Sequence, residues 1–281
     1  MRFLQFAMAT LAVATATQAY STYDKKILSD SPVLYLCMDP ASSSTVDGNS
    51  TEKDLSGSGT EALYNCDCGT MMSAHLPNGD KAVNFTGTQY LEVASSPNYS
   101  IPTTGGLTLE AWIAPSTLQF ADDESTGYVH WLSKGTTQAP EWVLRIYSYN
   151  NTENRPNRIS AYAFNQTGGF GSGSYFQDAV TVNQWIHVVG SYNQTASTKY
   201  PRGYVKIYKN GILRGTTGLD QYNTVPWSGT DPLRVGTRDF RSFFEGAIGK
   251  VAVYPRELDA STIMGHYEAM TSNGTAYMYS Y

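Results

Sequence analysis

From residue 20 onward the sequence predicts an all-β sandwich with one short helix at its end. Three observations lead there. Short β-rich runs alternate with turn clusters along the chain, the pattern of a sandwich or closed barrel. The composition favours Tyr, Thr, Ser, Asn and Gly, which populate strands and turns rather than helices. The strands do not alternate with helices, as a parallel α/β sheet requires.

Val33-Leu-Tyr-Leu-Cys37 reads as the first strand. Residues 82–85 and 90–93 flank Thr86-Gly87-Thr88-Gln89, a hairpin signal. Leu107-Thr-Leu-Glu-Ala-Trp-Ile113 alternates, so Leu107, Leu109, Ala111 and Ile113 share one face. Residues 129–133, 142–147 and 159–164 give three more strands. The Gly-rich stretch 165–175 reads as a flexible segment. Residues 185–192 and 203–208 are strands. Asn210-Gly211 then turns the chain between Ile207-Tyr208 and Ile212-Leu213, because both residues tolerate positive φ. Residues 233–235 and 247–254 are the last strands, and residues 260–270 read as a helix behind Asp259 as N-cap. No internal repeat or long linker divides the chain, which predicts a single domain over residues 20–281.

Met1-Arg2, an apolar run to Val13 and Thr17-Gln18-Ala19 have the form of a signal peptide over residues 1–19, which predicts a secreted, extracellular protein. The apolar run is too short for a spanning helix, and no later stretch reaches that length, so no membrane span is expected. Seven Asn-x-Ser/Thr sequons follow, at Asn49, Asn84, Asn98, Asn150, Asn165, Asn193 and Asn273, and predict a glycoprotein. Charged residues make up 15% of the chain and the formal net charge is −5, with no Lys/Arg cluster to grip a phosphate backbone, which excludes nucleic acid. Of three cysteines, Cys37 is expected to pair with Cys66 or Cys68 in an oxidising compartment, leaving one thiol over.

Taken in order, the pieces resemble the laminin-G-like jelly-roll domains of the concanavalin A-like lectin/glucanase superfamily. Residues 23–36 resemble the entry strand of those domains, and Asp54-Leu-Ser-Gly-Ser-Gly59 resembles their Asp-x-Ser-Gly-x-Gly turn. Residues 81–93, 107–113, 185–189 with 207–211, and 244–254 with Leu258-Asp259 are similar to successive later strands. The resemblance implies two packed antiparallel sheets, one convex and one concave. It does not by itself imply a function, since such sandwiches serve as lectins, hydrolases, lyases and adhesion modules.

The resemblance also raises a structural calcium ion (Ca2+), which many relatives hold with an Asp in the last long strand. Here the Ile-Asp-Glu-Val of the family reads Ile248-Gly249-Lys250-Val251, so that ligand is missing; Asp39, Asp54, Asp67 and Asp239 are the acids left for a calcium site, with Asp54 the one to favour. For sugar binding, aromatic faces and a few oriented polar groups are required. Trp131, Arg145, Tyr147, Tyr162 and Tyr175 are the residues expected to supply them. Leu144 and Ile146 point to the core, which turns Arg145 and Tyr147 to the other face. Phe170 and Phe176 are further rim residues. Trp112, Trp185, Glu110, His187 and His266 read as structural. No pair of acids matches a retaining glucanase, and Asp122-Asp123-Glu124 reads as a solvated turn. His130, Arg145 and Tyr147 form the set a polysaccharide lyase would use, with a base and a cation for a uronate carboxylate.

The sequence thus predicts a non-catalytic, lectin-like domain that recognises an extracellular or cell-wall polysaccharide. The alternative is a polysaccharide-degrading enzyme, lyase before glycoside hydrolase. The third reading is an adhesion or structural protein with an extracellular protein partner.

Overall fold

Ser21 opens the fold with a capping box. Its hydroxyl accepts from the Asp24 amide at 3.1 Å, and the Asp24 carboxylate accepts from the Ser21 amide at 3.1 Å. The result is a helix, α1 (Thr22–Ser29), where the resemblance predicts the start of a strand. The strand itself is confined to β1 (Leu34–Leu36). The structure, a computed structural model, describes residues 20–39, 45–46, 50–65, 71–120, 127–149 and 153–275. The signal segment, Cys66, Asp67, Cys68, Asn49 and Asn150 lie outside the described residues.

After β1 the chain forms β2 (Thr45–Val46), β3 (Thr51–Lys53), β4 (Glu61–Asn65), β5 (Met71–His75), β6 (Lys81–Thr86) and β7 (Tyr90–Val93). A short helix, α2 (Ile101–Thr104), precedes β8 (Gly106–Pro115), β9 (Tyr128–Gly135), β10 (Pro140–Tyr147), β11 (Ile159–Asn165) and β12 (Gly168–Phe176). Then come β13 (Ile186–Asn193), β14 (Tyr204–Lys209), β15 (Ile212–Gly218), β16 (Leu233–Val235), β17 (Glu245–Tyr254) and α3 (Ala260–Thr275).

The strands pair antiparallel into two sheets. One has nine strands in the order β15-β14-β13-β8-β17-β6-β5-β2, with β1 also paired to β17. The other has eight in the order β12-β11-β10-β9-β16-β7-β4-β3. This is the jelly-roll sandwich that the sequence predicts. The Asn210-Gly211 turn joins β14 to β15, with both residues at positive φ (52° and 78°). Asp259 caps α3, its carboxylate accepting from the Thr262 amide at 2.7 Å. The flexible segment expected over residues 165–175 is instead mostly strand β12, at the edge of the eight-stranded sheet.

The core lies between the sheets and takes the inward residues of both. Leu107, Leu109, Ala111 and Ile113 enter it from β8, and Trp142, Leu144 and Ile146 enter it from β10. A second apolar layer covers the outer face of the nine-stranded sheet. There Trp112, Tyr254, Val189 and Ala252 pack against Tyr23 and Ile27 of α1 and Ile263 and Met270 of α3. Trp185, half-buried, packs at the margin of this layer and donates its indole N–H to the His75 carbonyl at 2.8 Å.

At the centre of this layer sits Glu110, fully buried. It accepts from Tyr23 Oη at 3.0 Å and lies 2.8 Å from His187 Nε2 and 2.8 Å from His266 Nδ1. His266 Nε2 continues to Asp30 at 3.0 Å. Glu110, His187 and His266 are thus structural, as the sequence predicts. Together they tie α1 and α3 to the sheet.

Candidate functional site

With the nine-stranded sheet covered, the open face of the sandwich is the outer face of the eight-stranded sheet. The strand period decides what it shows. On β10 the inward residues leave Val143, Arg145 and Tyr147 on the outer side. On β11, Ile159, Ala161 and Ala163 are in the core, which turns Ser160, Tyr162 and Phe164 outward. On β12 the inward Ser172 and Ser174 donate to the carbonyls of Leu219 and Val205 at 3.1 and 2.7 Å, which leaves Gly171, Gly173 and Tyr175 outward.

Of these outward residues, Arg145, Tyr162, Phe164, Gly173 and Tyr175 line a groove of about 740 Å³. Its centre is Arg145. The guanidinium carbon lies 3.8 Å from the ring centroid of Tyr128 and 4.2 Å from that of Tyr162. Register explains the sandwich. Tyr128 pairs with Tyr147 and Tyr162 pairs with Val143, so both rings are diagonal neighbours of Arg145. Arg145 Nε donates to Ser160 Oγ at 3.3 Å. Burial holds the guanidinium pKa below its ordinary value, with Arg238 adding to that and the two tyrosines opposing it.

At the rim, Arg158 lies 3.9 Å over the Tyr175 ring and donates to Gln177 Oε1 at 3.2 and 3.0 Å. Phe170 and Tyr222 pair with ring centroids 5.8 Å apart. Phe170 is 85% exposed, Tyr222 49% and Tyr175 45%, which is unusual for three large rings in one depression. The glycines of β12 make room for the ring layer beneath. A Cβ at Gly171 would stand 2.6 Å from the Phe164 ring, and Gly173 abuts the Tyr162 ring in the same way. The groove's lining carboxylate among the described residues is Glu153, paired with Arg155 at 2.9 Å.

Of the residues predicted to bind sugar, Arg145, Tyr162 and Tyr175 meet in this groove, with Phe170 at its rim. Trp131 does not join them. It is fully buried in the core, sharing the inward face of β9 with Val129. Tyr147 is on the expected face but buried, packed edge-on against Tyr128 at 5.2 Å, so it supports the groove without lining it. Phe176 points into the core. The lyase set is likewise not assembled at the surface, because His130 is fully buried next to Arg145 in the register and Tyr147 is covered. Sequence reasoning missed Tyr128, Arg155, Arg158, Tyr222 and Arg238. Tyr128 has the parity of His130 and precedes the strand's apolar run, a signal that was available. Tyr222 and Arg238 come from distant segments that only the fold brings near.

Asp54 is a turn organiser. Its Oδ1 accepts from the amides of Tyr35 and Ser56, both at 2.8 Å, and its Oδ2 accepts from the hydroxyls of Ser56, at 2.6 Å, and Ser58. Four donors leave this carboxylate little capacity for calcium. Directly after Gly249, which stands where the family has its Asp ligand, Lys250 lies on a bulge of β17 with φ 57°. Its Nζ lies 2.7 Å from Asp24, 2.8 Å from Asp80 and 3.2 Å from the Cys37 sulfur. A fixed ammonium thus supplies the positive charge in this cluster. Among the described residues no group of three or more His, Cys, Asp or Glu is arranged to hold a metal ion. Cys37 is buried and carries a free thiol, while its two expected partners lie outside the described residues.

Among the sequons, Asn98 is exposed and Asn84 half-buried on β6. Asn165 accepts from the Val225 amide at 2.7 Å, and Asn193 donates its amide to Glu257 at 2.6 Å.

A family model described as the concanavalin A-like lectin/glucanases superfamily matches residues 85–264. No curated protein matches the sequence. Among solved structures, the ligand-binding domain of botulinum neurotoxin serotype D, in complex with N-acetylneuraminic acid, is similar with a TM-score of 0.60 and 16% identity. In the complex it covers 88% of this chain and 52% of its own, so the chain spans about half the length of that toxin domain. Domain 4 of an extracellular arabinanase from Geobacillus stearothermophilus, in complex with arabinotriose, is similar with a TM-score of 0.56 and 15% identity, over 84% of this chain and 98% of its own.

Proposed function

The chain belongs to the concanavalin A-like lectin/glucanases superfamily, and we propose that it is a secreted, non-catalytic carbohydrate-binding domain that seats a glycan in the groove of the eight-stranded sheet. The observation that carries this reading is the pairing of exposed rings with oriented donors. Phe170, Tyr222 and Tyr175 offer apolar faces to the C–H surface of a sugar, and Arg145 and Arg158 offer N–H groups beside them. Solved proteins of the same fold hold N-acetylneuraminic acid and arabinotriose, ligands of the same class. The absence of a second lining carboxylate among the described residues favours binding over hydrolysis, which uses two. Residues 1–19 and the sequon at exposed Asn98 support secretion.

The test is retention of the purified glycoprotein on a panel of insoluble and soluble polysaccharides, with reducing ends and unsaturated uronate read in the same samples. Retention without products is expected. Phe170→Ala removes a solvent-exposed ring, so stability should stay within about 0.5 kcal/mol. Affinity should fall about tenfold or more, the effect of losing ~1.4 kcal/mol. Product formation would overturn the non-catalytic part of the reading. No retention on any glycan, or full retention by a variant carrying both Phe170→Ala and Tyr222→Ala, would overturn the site.

A further inference from the structure

Resting on the reading of the groove as a glycan site, we propose that its ligand is an acidic saccharide, one carrying carboxylate or sulfate groups. The charge distribution is the first argument. The chain as a whole is acidic, with 24 Asp and Glu against 19 Lys and Arg. The described groove lining reverses that balance. It contains Arg145, Arg155, Arg158 and Arg238 against the single carboxylate Glu153. A depression with this excess of one sign attracts ligands of the other.

The second argument is how two of those arginines are held. Arg155 is paired with Glu153 at 2.9 Å, and Arg238 lies 3.7 Å from Asp239. Arg145 and Arg158 are held differently, by neutral groups: Ser160 and two tyrosine rings for Arg145, Gln177 and one ring for Arg158. Their charges are therefore positioned without being neutralised by a described carboxylate. The Tyr128 and Tyr162 rings both stack on the Arg145 guanidinium. Its remaining capacity is at the edge, where the planar fork of N–H groups matches two oxygens of a carboxylate or sulfate. A lysine at this place would keep the charge and lose both the stacking and the fork.

The third argument is proximity to the rings. Tyr175, under Arg158, is part of the exposed aromatic rim, so a sugar unit seated on that rim would lie beside a guanidinium. A neutral sugar would fill the rim and leave the arginines unanswered. A simple anion would answer the arginines and leave the rim bare. An acidic saccharide uses both.

The experiment compares ligands that differ only in charge. The secreted full-length glycoprotein is titrated with polygalacturonate and with its fully methyl-esterified form, and with sulfated carrageenan and its desulfated form. Binding to polygalacturonate alone supports the proposal and assigns carboxylate as the charged group. Binding to carrageenan alone supports it and assigns sulfate. In either case Arg145→Lys and Arg158→Gln should each weaken binding about tenfold or more, as expected for loss of a charge-assisted hydrogen bond. Lys53→Gln, an equal charge change on exposed β3 at the opposite edge of the sheet, should leave binding unchanged. Because Arg145 is built into the sheet, Arg158→Gln on the rim keeps the test valid if Arg145→Lys folds poorly. Equal binding of charged and uncharged partners, or loss of binding in Lys53→Gln to the same degree, overturns the acidic preference and leaves glycan binding standing. Failure to bind any polysaccharide in the panel overturns both.

Discussion

Replacing Glu110 with Gln should destabilise the protein far more in mild acid than in mild alkali. Glu110 is fully buried and takes donors from three elements: Tyr23 of α1, His187 of β13 and His266 of α3. Burial raises its pKa, but the charge of His266 and the bond from His187 outweigh that and hold it well below its ordinary 4.5. Burial lowers the pKa of His266, but Glu110 and Asp30 outweigh that, against opposition from Lys26, and hold it above its ordinary 6.5. Tyr254 stacks on the same imidazole at 5.9 Å.

The raised His266 contributes stability that is complete below its unfolded value of 6.5 and is lost as pH climbs through the folded value. The lowered Glu110 contributes stability that is present above its unfolded value of 4.5 and is lost as pH falls toward the folded value. Between those limits the pair is fully charged in the native state. At about pH 5.5 the Gln variant must either keep a buried imidazolium without its Glu110 counter-charge or give up the proton that the unfolded chain holds, and breaking such a pair costs about 3–5 kcal/mol. At about pH 8.5 the imidazole of the variant sheds its proton, and the loss falls to the roughly 1–3 kcal/mol of an unmatched buried hydrogen bond. Urea denaturation followed by circular dichroism at both pH values reads these differences directly. For a chain of this size the acid-side loss corresponds to a drop in melting temperature of about 6–20 °C. Equal losses at the two pH values, or a loss under about 1 kcal/mol at the lower one, would refute the argument.

Gly173→Ala should destabilise the fold by about 1–3 kcal/mol, because the new methyl group overlaps the Ala161 carbonyl and the Tyr162 ring. Since Tyr162 forms one wall of the Arg145 sandwich, urea denaturation and glycan retention should fall together. Burial pushes the Cys37 thiol up to about 12, so peptide mapping after iodoacetamide treatment at about pH 8 should find it unmodified in the folded protein and modified in urea. Lys250→Ala should cost about 3–5 kcal/mol by stranding Asp24 beside Asp80, while a chelator should leave the melting temperature of the unaltered protein unchanged.

Much of the scaffold was legible because local and global signals agree in it. Alternation in residues 107–113 and 142–147 separates core from outer face correctly, and Asn210-Gly211 and Asp259 mark their turn and cap. The misreadings have physical causes. Residues 165–175 look flexible because glycine disfavours strands. In the fold, the bare backbone of Gly171 and Gly173 is what lets the Phe164 and Tyr162 rings lie against β12. The helix at Thr22–Ser29 was signalled by Ser21 and Asp24 at capping-box spacing, which the family resemblance overrode. Trp131 shares parity with Val129, so its inward direction could have been read. The irregularity between Leu144 and Arg145 in the β9–β10 register then turns Leu132 inward as well, a break of alternation that no period-two reading contains.

The two faces of the sandwich divide their tasks. On the nine-stranded sheet, α1 and α3 cover the outer surface, and buried charges bolt them there through Glu110, His266 and Lys250. That face is spent on stability. The eight-stranded sheet is left with one uncovered surface, and the groove lies on its β9 to β12 half. Arg145, Tyr128 and Tyr162 stand on strands and hold fixed positions relative to one another. Phe170, at the exposed edge of β12, and Tyr222, in the turn after β15, stand farther out. A groove built this way keeps its charged centre rigid and places its exposed rings where sequence change is tolerated. Changes at Phe170 or Tyr222 should therefore alter which sugar ring is accepted, whereas changes at Arg145 should alter whether a charged one is accepted at all.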